Sequence, residues 1–256
     1  MDTLPLKLTV TPLLILAASL ASQRWGDAVA GWFVGLPLTS APVCFFLALD
    51  QGVGFAAAAG LGSLAGAAAE AVFCLGYGSI ARSHGWPLAI GIASLGFVLA
   101  ALVLQLAALP LWSLVVVAGA ALAGALRLMP QPSAGGAASL ALPAWDIPAR
   151  MVVATALVLG LTALAPLVGP RMSGLLATYP VFAAVLAAFS QRGRGAAAAI
   201  QVLRGLMVGL FAFTGFFAVL ASTLEQLGIA EAFAAATLVA LCIQAGSLVA
   251  MRRRPA

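Results

Sequence analysis

The chain has 256 residues, of which 64% are apolar and only 7% are charged, whereas a soluble domain carries about 25% charged residues. A soluble fold of this size could not cover its surface with so few charges. The net charge of +5 does not indicate a nucleic-acid partner, because the basic residues are scattered singly between apolar runs.

Apolar runs of about 18 residues or more recur from end to end, and each can cross a hydrocarbon core about 30 Å thick. They are continuous rather than alternating, which predicts membrane-spanning helices and excludes a barrel. Polar breaks delimit nine candidate spans at 5–22, 29–49, 54–79, 87–109, 111–128, 150–168, 172–190, 196–222 and 230–250. The first run is predicted to be a span rather than a signal peptide, because Asp2 and Lys7 leave its start nearly neutral.

The distribution of basic residues predicts the orientation in the membrane. With nine spans, the only basic residues on one face are Lys7 and Arg171. The other face collects Arg24, Arg82, Arg127, Arg150, Arg192, Arg194, Arg252, Arg253 and Arg254. This bias predicts a multi-pass protein of the bacterial inner membrane with its N-terminus outside and its C-terminus in the cytoplasm.

Two segments of the chain nearly repeat each other. Residues 35–60 have the sequence GLPLTSAPVCFFLALDQGVGFAAAAG, and residues 174–200 have GLLATYPVFAAVLAAFSQRGRGAAAAI. The motifs fall on spans 2 and 7, an odd separation, so the second copy is predicted to be inverted relative to the first. The predicted fold is all-α, with two inverted four-helix repeats (1–110 and 150–256) joined by a linking span and a Pro/Gly-rich loop (111–149). Alternating-access transporters use this architecture, although channels and some flippases share it.

The second half also resembles the GlpM-like small bacterial membrane proteins, chiefly through the Gly-Leu-Leu…Tyr-Pro-Val-Phe element at 174–182. The resemblance covers the second half well and the first half weakly, since the first half adds Pro37 and has Ala41 where the second has Tyr179. It implies a fused tandem of a four-span unit that would otherwise pair as a dimer. It implies no defined activity.

Two charged residues lie well inside predicted spans rather than at their ends, Glu70 in span 3 and Arg204 in span 8. Such residues cost about 2.5–3.5 kcal/mol on insertion scales, so each is a functional candidate. Both are predicted roughly 6–7 Å to the cytoplasmic side of the midplane, where they could face each other. Two interpretations stay open. The pair fixes helix packing, or Arg204 anchors a carboxylate or phosphate while Glu70 acts as a proton-coupled switch.

Prolines inside spans 2 and 7 predict broken helices that offer polar groups to a ligand, with a simple kink as the alternative. Gln105 and Gln244 are predicted to be related by the repeat and either line a pathway or join helices by hydrogen bonds. The predicted substrate-binding residues are Arg204, Glu70, Thr39, Ser40, Pro42, Thr178, Tyr179, Pro180, Gln105 and Gln244.

The sequence contains no nucleophile–base arrangement, and Cys44, Cys74 and Cys242 lack metal or redox spacing. We therefore expect no enzyme activity, no cofactor and no metal site. The predicted function is secondary transport of a small anionic or zwitterionic solute, with the bilayer and that solute as partners. Proton coupling and a homodimer stay open. The alternatives are a membrane scaffold or accessory subunit and a lipid or polyprenyl-phosphate flippase.

Overall fold

The computed structural model describes residues 4–38, 40–132, 143, 145–164 and 179–253. These residues form ten α-helices and no strand. The helices are α1 (Leu4–Trp25), α2 (Asp27–Val34), α3 (Ser40–Gln51), α4 (Val53–Ile80), α5 (Trp86–Ala107), α6 (Leu111–Leu128), α7 (Asp146–Leu164), α8 (Val181–Arg194), α9 (Ala196–Leu227) and α10 (Ile229–Arg253).

Five helices of the described chain, α4, α5, α6, α9 and α10, are long and apolar enough to cross a membrane. The predicted all-helical, multi-pass class is therefore confirmed. The predicted second span is divided between α2 and α3, which have 8 and 12 residues, and α8 has 14. These short helices reach only part of the way across a bilayer. The count of nine spans stays a prediction.

Single glycines make the tightest connections between helices. Gly52 precedes α4 with φ +91°, and Gly195 precedes α9 with φ +87°. Gly26 and Gly228 have similar positive φ values before α2 and α10. Only glycine adopts this conformation without steric cost. Each of the two glycines Gly52 and Gly195 therefore connects a short helix directly to one of the two longest helices.

Helix α9 lies at the centre of the bundle and packs against α2, α4, α6, α8 and α10. Its crossing with α2 is made by glycines on both helices. A β-carbon on Gly31 would overlap the carbonyl oxygen of Val202, and one on Gly205 would overlap the carbonyl oxygen of Ala28. Small residues allow this close backbone approach in membrane helices. The crossing therefore joins the two halves of the chain backbone to backbone.

Several helix ends meet at one end of the bundle, which we call the arginine-rich end. Arg194 at the end of α8 contacts Ser22 near the end of α1, and Gln191 reaches the α4–α5 turn. Met129, after α6, lies beside Gly78 near the end of α4. This end carries Arg24, Arg82, Arg127, Arg150, Arg192 and Arg194. These arginines are thus gathered at one end, as the sequence predicted, while their cytoplasmic orientation stays a prediction.

Candidate functional site

Tyr179, two residues before α8, lies in an aromatic cage. The Tyr179 ring lies edge-on to Phe73 of α4, at 6.1 Å between centroids, and to Phe97 of α5, at 5.7 Å. Its hydroxyl shares a 2.7 Å hydrogen bond with Oγ of Ser94. Pro180 is buried beside it. The predicted residue Tyr179 therefore lies between two helices of the first half, with Pro180 directly before α8. Thr178 lies outside the described residues.

The break between α2 and α3 has different surroundings. Pro42 is exposed and Ser40 half-buried, while Thr39 lies outside the described residues. Beside this break is an open groove of about 310 Å³. It is lined by Ala41, Pro42, Phe45, Phe46, Phe216, Phe233 and Thr237. The first-half break thus faces an apolar groove rather than a polar cage.

Arg204 is half-buried on α9 and reaches the C-terminal end of α6. Its Nη1 donates to the carbonyl oxygens of Leu126, at 3.1 Å, and Met129, at 3.2 Å. The last carbonyls of a helix lack partners within the helix, and a basic side chain can satisfy them. At least part of the hydrogen-bonding capacity of Arg204 therefore stabilises the end of α6.

Glu70 is half-buried on α4, the helix that packs against α9. In the part of the chain that the structure describes, the ion pairs within 4.0 Å are Arg150–Asp146 and Arg194–Asp27. Glu70 takes part in neither pair. The roles predicted for Glu70 and Arg204 in binding a solute stay predictions.

The two predicted glutamines have different environments. Gln244 on α10 is 3% exposed, and its Nε2 donates to the carbonyl oxygen of Trp32 on α2 at 3.0 Å. Gln105 is exposed near the end of α5. An interhelical hydrogen bond, one of the two roles predicted for these glutamines, therefore exists for Gln244. Its Oε1 is buried without a hydrogen-bond partner.

A buried ion pair that the sequence analysis did not single out links α2 to α8. Asp27, at the start of α2, is 5% exposed and accepts a hydrogen bond from Nη2 of Arg194. Ser22 Oγ donates to Asp27 Oδ1 at 2.5 Å and accepts from Arg194 Nη2 at 3.0 Å. These three side chains therefore join α1, α2 and α8 at the arginine-rich end.

A second buried pair lies next to the first. Arg150 of α7 is 1% exposed, and its Nε donates to Asp146 Oδ2 at 2.8 Å. Its guanidinium lies over the ring of Phe189 of α8, 5.4 Å from the centroid. From the sequence, Arg150 and Arg194 were interpreted only as indicators of the orientation in the membrane. The missed signal was the presence of Asp27 and Asp146, two acidic residues among the arginines of the basic face.

Helix α8 is also fixed to the α4–α5 turn by neutral hydrogen bonds. The Tyr77 hydroxyl donates to Gln191 Oε1 at 2.8 Å. Gln191 Nε2 donates to the carbonyl oxygens of Ala81, at 3.1 Å, and His84, at 2.8 Å. Polar contacts therefore hold α8 at both of its ends, with Tyr179 at one end and Gln191 and Arg194 at the other.

Among the described residues, no group of three or more His, Cys, Asp or Glu side chains is placed to hold a metal ion. Comparison with known proteins finds no matching family model, curated protein or solved structure. The likeness to the GlpM-like proteins stays a prediction from the sequence.

Proposed function

We propose that the chain is an alternating-access secondary transporter of a small anionic or zwitterionic solute in the bacterial inner membrane. In this proposal two inverted four-helix repeats, joined by α6, give nine spans with the N-terminus outside and the C-terminus in the cytoplasm. The observation that carries the proposal is a short helix in each half, α3 and α8, followed by a left-handed glycine and a long helix. Transporters of this architecture place their substrate beside discontinuous helices.

The spacing of the connecting glycines supports the repeat. Gly52 and Gly85 precede α4 and α5, and Gly195 and Gly228, each 143 residues later, precede α9 and α10. In this register Phe73 and Ser94, which hold Tyr179, correspond to Phe216 and Thr237, and both of these line the groove beside Ala41. The segments at the start of α3 and of α8 therefore lie against corresponding pairs of helices from the other half.

The same register changes two details of the predicted repeat. Pro180 corresponds to Pro37 rather than to Pro42. Gln244 corresponds to Ala101 rather than to Gln105, a displacement of four residues or about one helical turn. Gln105 and Gln244 therefore form no symmetric pair in this register, which agrees with their unequal burial.

The proposed movement is a rocking of the two halves about the glycine crossing of α2 and α9. Backbone-to-backbone contact leaves few side chains to disengage when these helices shift. The Asp27–Arg194 pair keeps α2 and α8 together at the arginine-rich end. Opening that end requires this pair to separate, while the solute occupies the region of Tyr179, Arg204 and Glu70. Proton coupling through Glu70 is an extension of the proposal.

Two observations favour the alternative functions. The apolar groove beside Pro42 is the kind of lateral opening that a lipid flippase needs. The hydrogen bonds from Arg204 to the end of α6 are what a purely structural arginine would make, as in a scaffold. Neither observation accounts for a short helix with the same glycine connection in each half, so transport is the function that we propose first.

Uptake into proteoliposomes tests the proposal. Vesicles containing the purified protein would be offered small carboxylates, amino acids and phosphate under an imposed pH gradient. We expect uptake of at least one of them, and we expect Arg204→Gln to lower it about tenfold or more, because a charge-assisted hydrogen bond to the solute is lost. Tyr179→Phe should lower it less, since only one neutral hydrogen bond is removed.

Arg127→Gln is the matched control, because it removes the same charge from an exposed position at the same end. It should leave uptake close to that of the wild type. Equal uptake by wild type and Arg204→Gln would remove Arg204 from the solute site. Failure of the folded wild type to transport any of these solutes would favour the scaffold or the flippase.

A further inference from the structure

Among the described residues, three polar atoms at the arginine-rich end are buried without a hydrogen-bond partner. They are Oγ of Ser19, Nη2 of Arg150 and Nε of Arg194. Arg150 is 1% exposed and Ser19 is 2% exposed. Buried donors are nearly always satisfied by protein, water or a bound group. Three unsatisfied donors in one part of the fold therefore point to a ligand.

The three residues come from helices that pack against one another. Ser19 lies three residues before Ser22, so both face the same side of α1, and Ser22 bonds to Arg194. Arg194 also donates to Ser190, at 3.4 Å, and Arg150 lies over the residue next to it, Phe189. Helices α1, α7 and α8 are in mutual contact. The unpartnered atoms thus belong to one cluster.

The chemistry of the three atoms requires a ligand that accepts hydrogen bonds. The two guanidinium nitrogens can only donate, and the serine hydroxyl can donate as well. A water molecule has two lone pairs and so cannot accept from all three. A carboxylate or phosphate oxyanion has enough acceptor positions and matches the planar geometry of arginine.

The local charge also favours an anion. The segments 19–27, 145–150 and 189–194 together contain four arginines and two aspartates, so the cluster keeps a net positive charge after both ion pairs are counted. Arg24 and Arg192 are the exposed members of this set. Their field attracts an anion to the end of the bundle.

We propose that Ser19, Arg150 and Arg194 form a binding site for an oxyanion, a carboxylate or phosphate group, between α1, α7 and α8 at the arginine-rich end. The group belongs either to a free small anion or to the headgroup of an anionic lipid. This site is distinct from the region of Glu70, Arg204 and Tyr179, so the inference holds for a transporter and for a scaffold alike.

Two measurements on the full-length protein test the site and its source of anion. In the first, the melting temperature in neutral detergent is followed with sodium phosphate or sodium acetate, against sodium chloride at equal ionic strength. In the second, the protein in nanodiscs containing phosphatidylglycerol and phosphatidylcholine is extracted into detergent, and the retained lipid is identified by native mass spectrometry.

The variants are Arg150→Lys, which keeps the charge and removes Nη2, and Ser19→Ala, which removes a single hydroxyl. Arg82→Gln is the control, because it removes an exposed charge at the same end outside the cluster. We expect Arg150→Lys to weaken anion binding about tenfold or more, since it removes charge-assisted hydrogen bonds. Ser19→Ala should weaken anion binding about threefold. This variant still tests the site if Arg150→Lys does not fold.

A stabilisation by phosphate or acetate that is smaller in Ser19→Ala than in the wild type, and is kept in Arg82→Gln, supports the site with a free anion as ligand. Retention of phosphatidylglycerol with the same dependence on the variants supports the site with a lipid headgroup as ligand. The proposal is overturned if neither anion nor anionic lipid binds to the folded wild type. It is equally overturned if binding is the same in all variants.

Discussion

Replacing Gly205 with alanine is expected to lower the free energy of unfolding by about 3 kcal/mol or more. The new β-carbon would overlap the carbonyl oxygen of Ala28 on α2. Backbone atoms cannot move aside as a flexible side chain can, so α2 and α9 would have to separate along their crossing. Gly31→Ala should act in the same direction, because its β-carbon would overlap the carbonyl oxygen of Val202. Unfolding of the purified protein in detergent measures both effects.

Gly62→Ala is the matched control for Gly205→Ala. Gly62 lies inside α4, and a β-carbon there would meet no atom within 4 Å. Alanine is favoured over glycine in a helix by roughly 0.5–1 kcal/mol, so this variant should be as stable as the wild type or slightly more stable. If Gly205→Ala and Gly62→Ala were equally stable, the close crossing of α2 and α9 would be wrong.

Replacing Asp27 with asparagine is expected to cost about 3 kcal/mol of stability. The substitution keeps the shape of the side chain and removes its charge, which leaves the largely buried guanidinium of Arg194 without an ionic partner. Asp27 is 5% exposed and also accepts a hydrogen bond from Ser22. The loss should therefore be much larger than that of an exposed ion pair. The same detergent unfolding assay measures it.

Asp50→Asn provides the comparison, since Asp50 is exposed at the opposite end of the bundle, and it should change stability by less than about 0.5 kcal/mol. A cycle with Arg194→Gln isolates the pair itself, because Asp27→Asn should cost little once Arg194 is gone. Additive losses from the two substitutions would show that Asp27 and Arg194 do not interact in the folded protein.

The helices and their breaks could be predicted from local properties of the sequence. The predicted span 111–128 coincides with α6, and the predicted span 54–79 differs from α4 by one residue at each end. Pro42 and Pro180 predicted interruptions in spans 2 and 7. The first interruption falls earlier than predicted, between Val34 and Ser40, so that Pro42 lies in the first turn of α3, and α8 begins directly after Pro180. Hydrophobic run length and proline chemistry act within one segment, which is why a single sequence reveals them.

The partners of the polar side chains could not be predicted, because they depend on how separate helices pack. Arg204 was recognised as an unusual charge, but its bonds to carbonyl oxygens of Leu126 and Met129 join residues 78 and 75 positions apart. Asp27 and Arg194 are 167 positions apart and each resembles an ordinary residue at a membrane boundary. The most buried charges were therefore missed, although the acidic residues on the basic face were visible.

Alternating access is tested most directly by distances between spin labels at both ends of the protein, measured by double electron–electron resonance in lipid vesicles. With the native cysteines replaced, one pair of labels would be at His84 and Arg192, and the other at Asp50 and Glu231. All four residues are exposed, and each pair has one label in each half. We expect a transported solute to change the two distances in opposite directions, one end opening as the other closes. If a solute that binds leaves both distances unchanged, the protein does not work by alternating access.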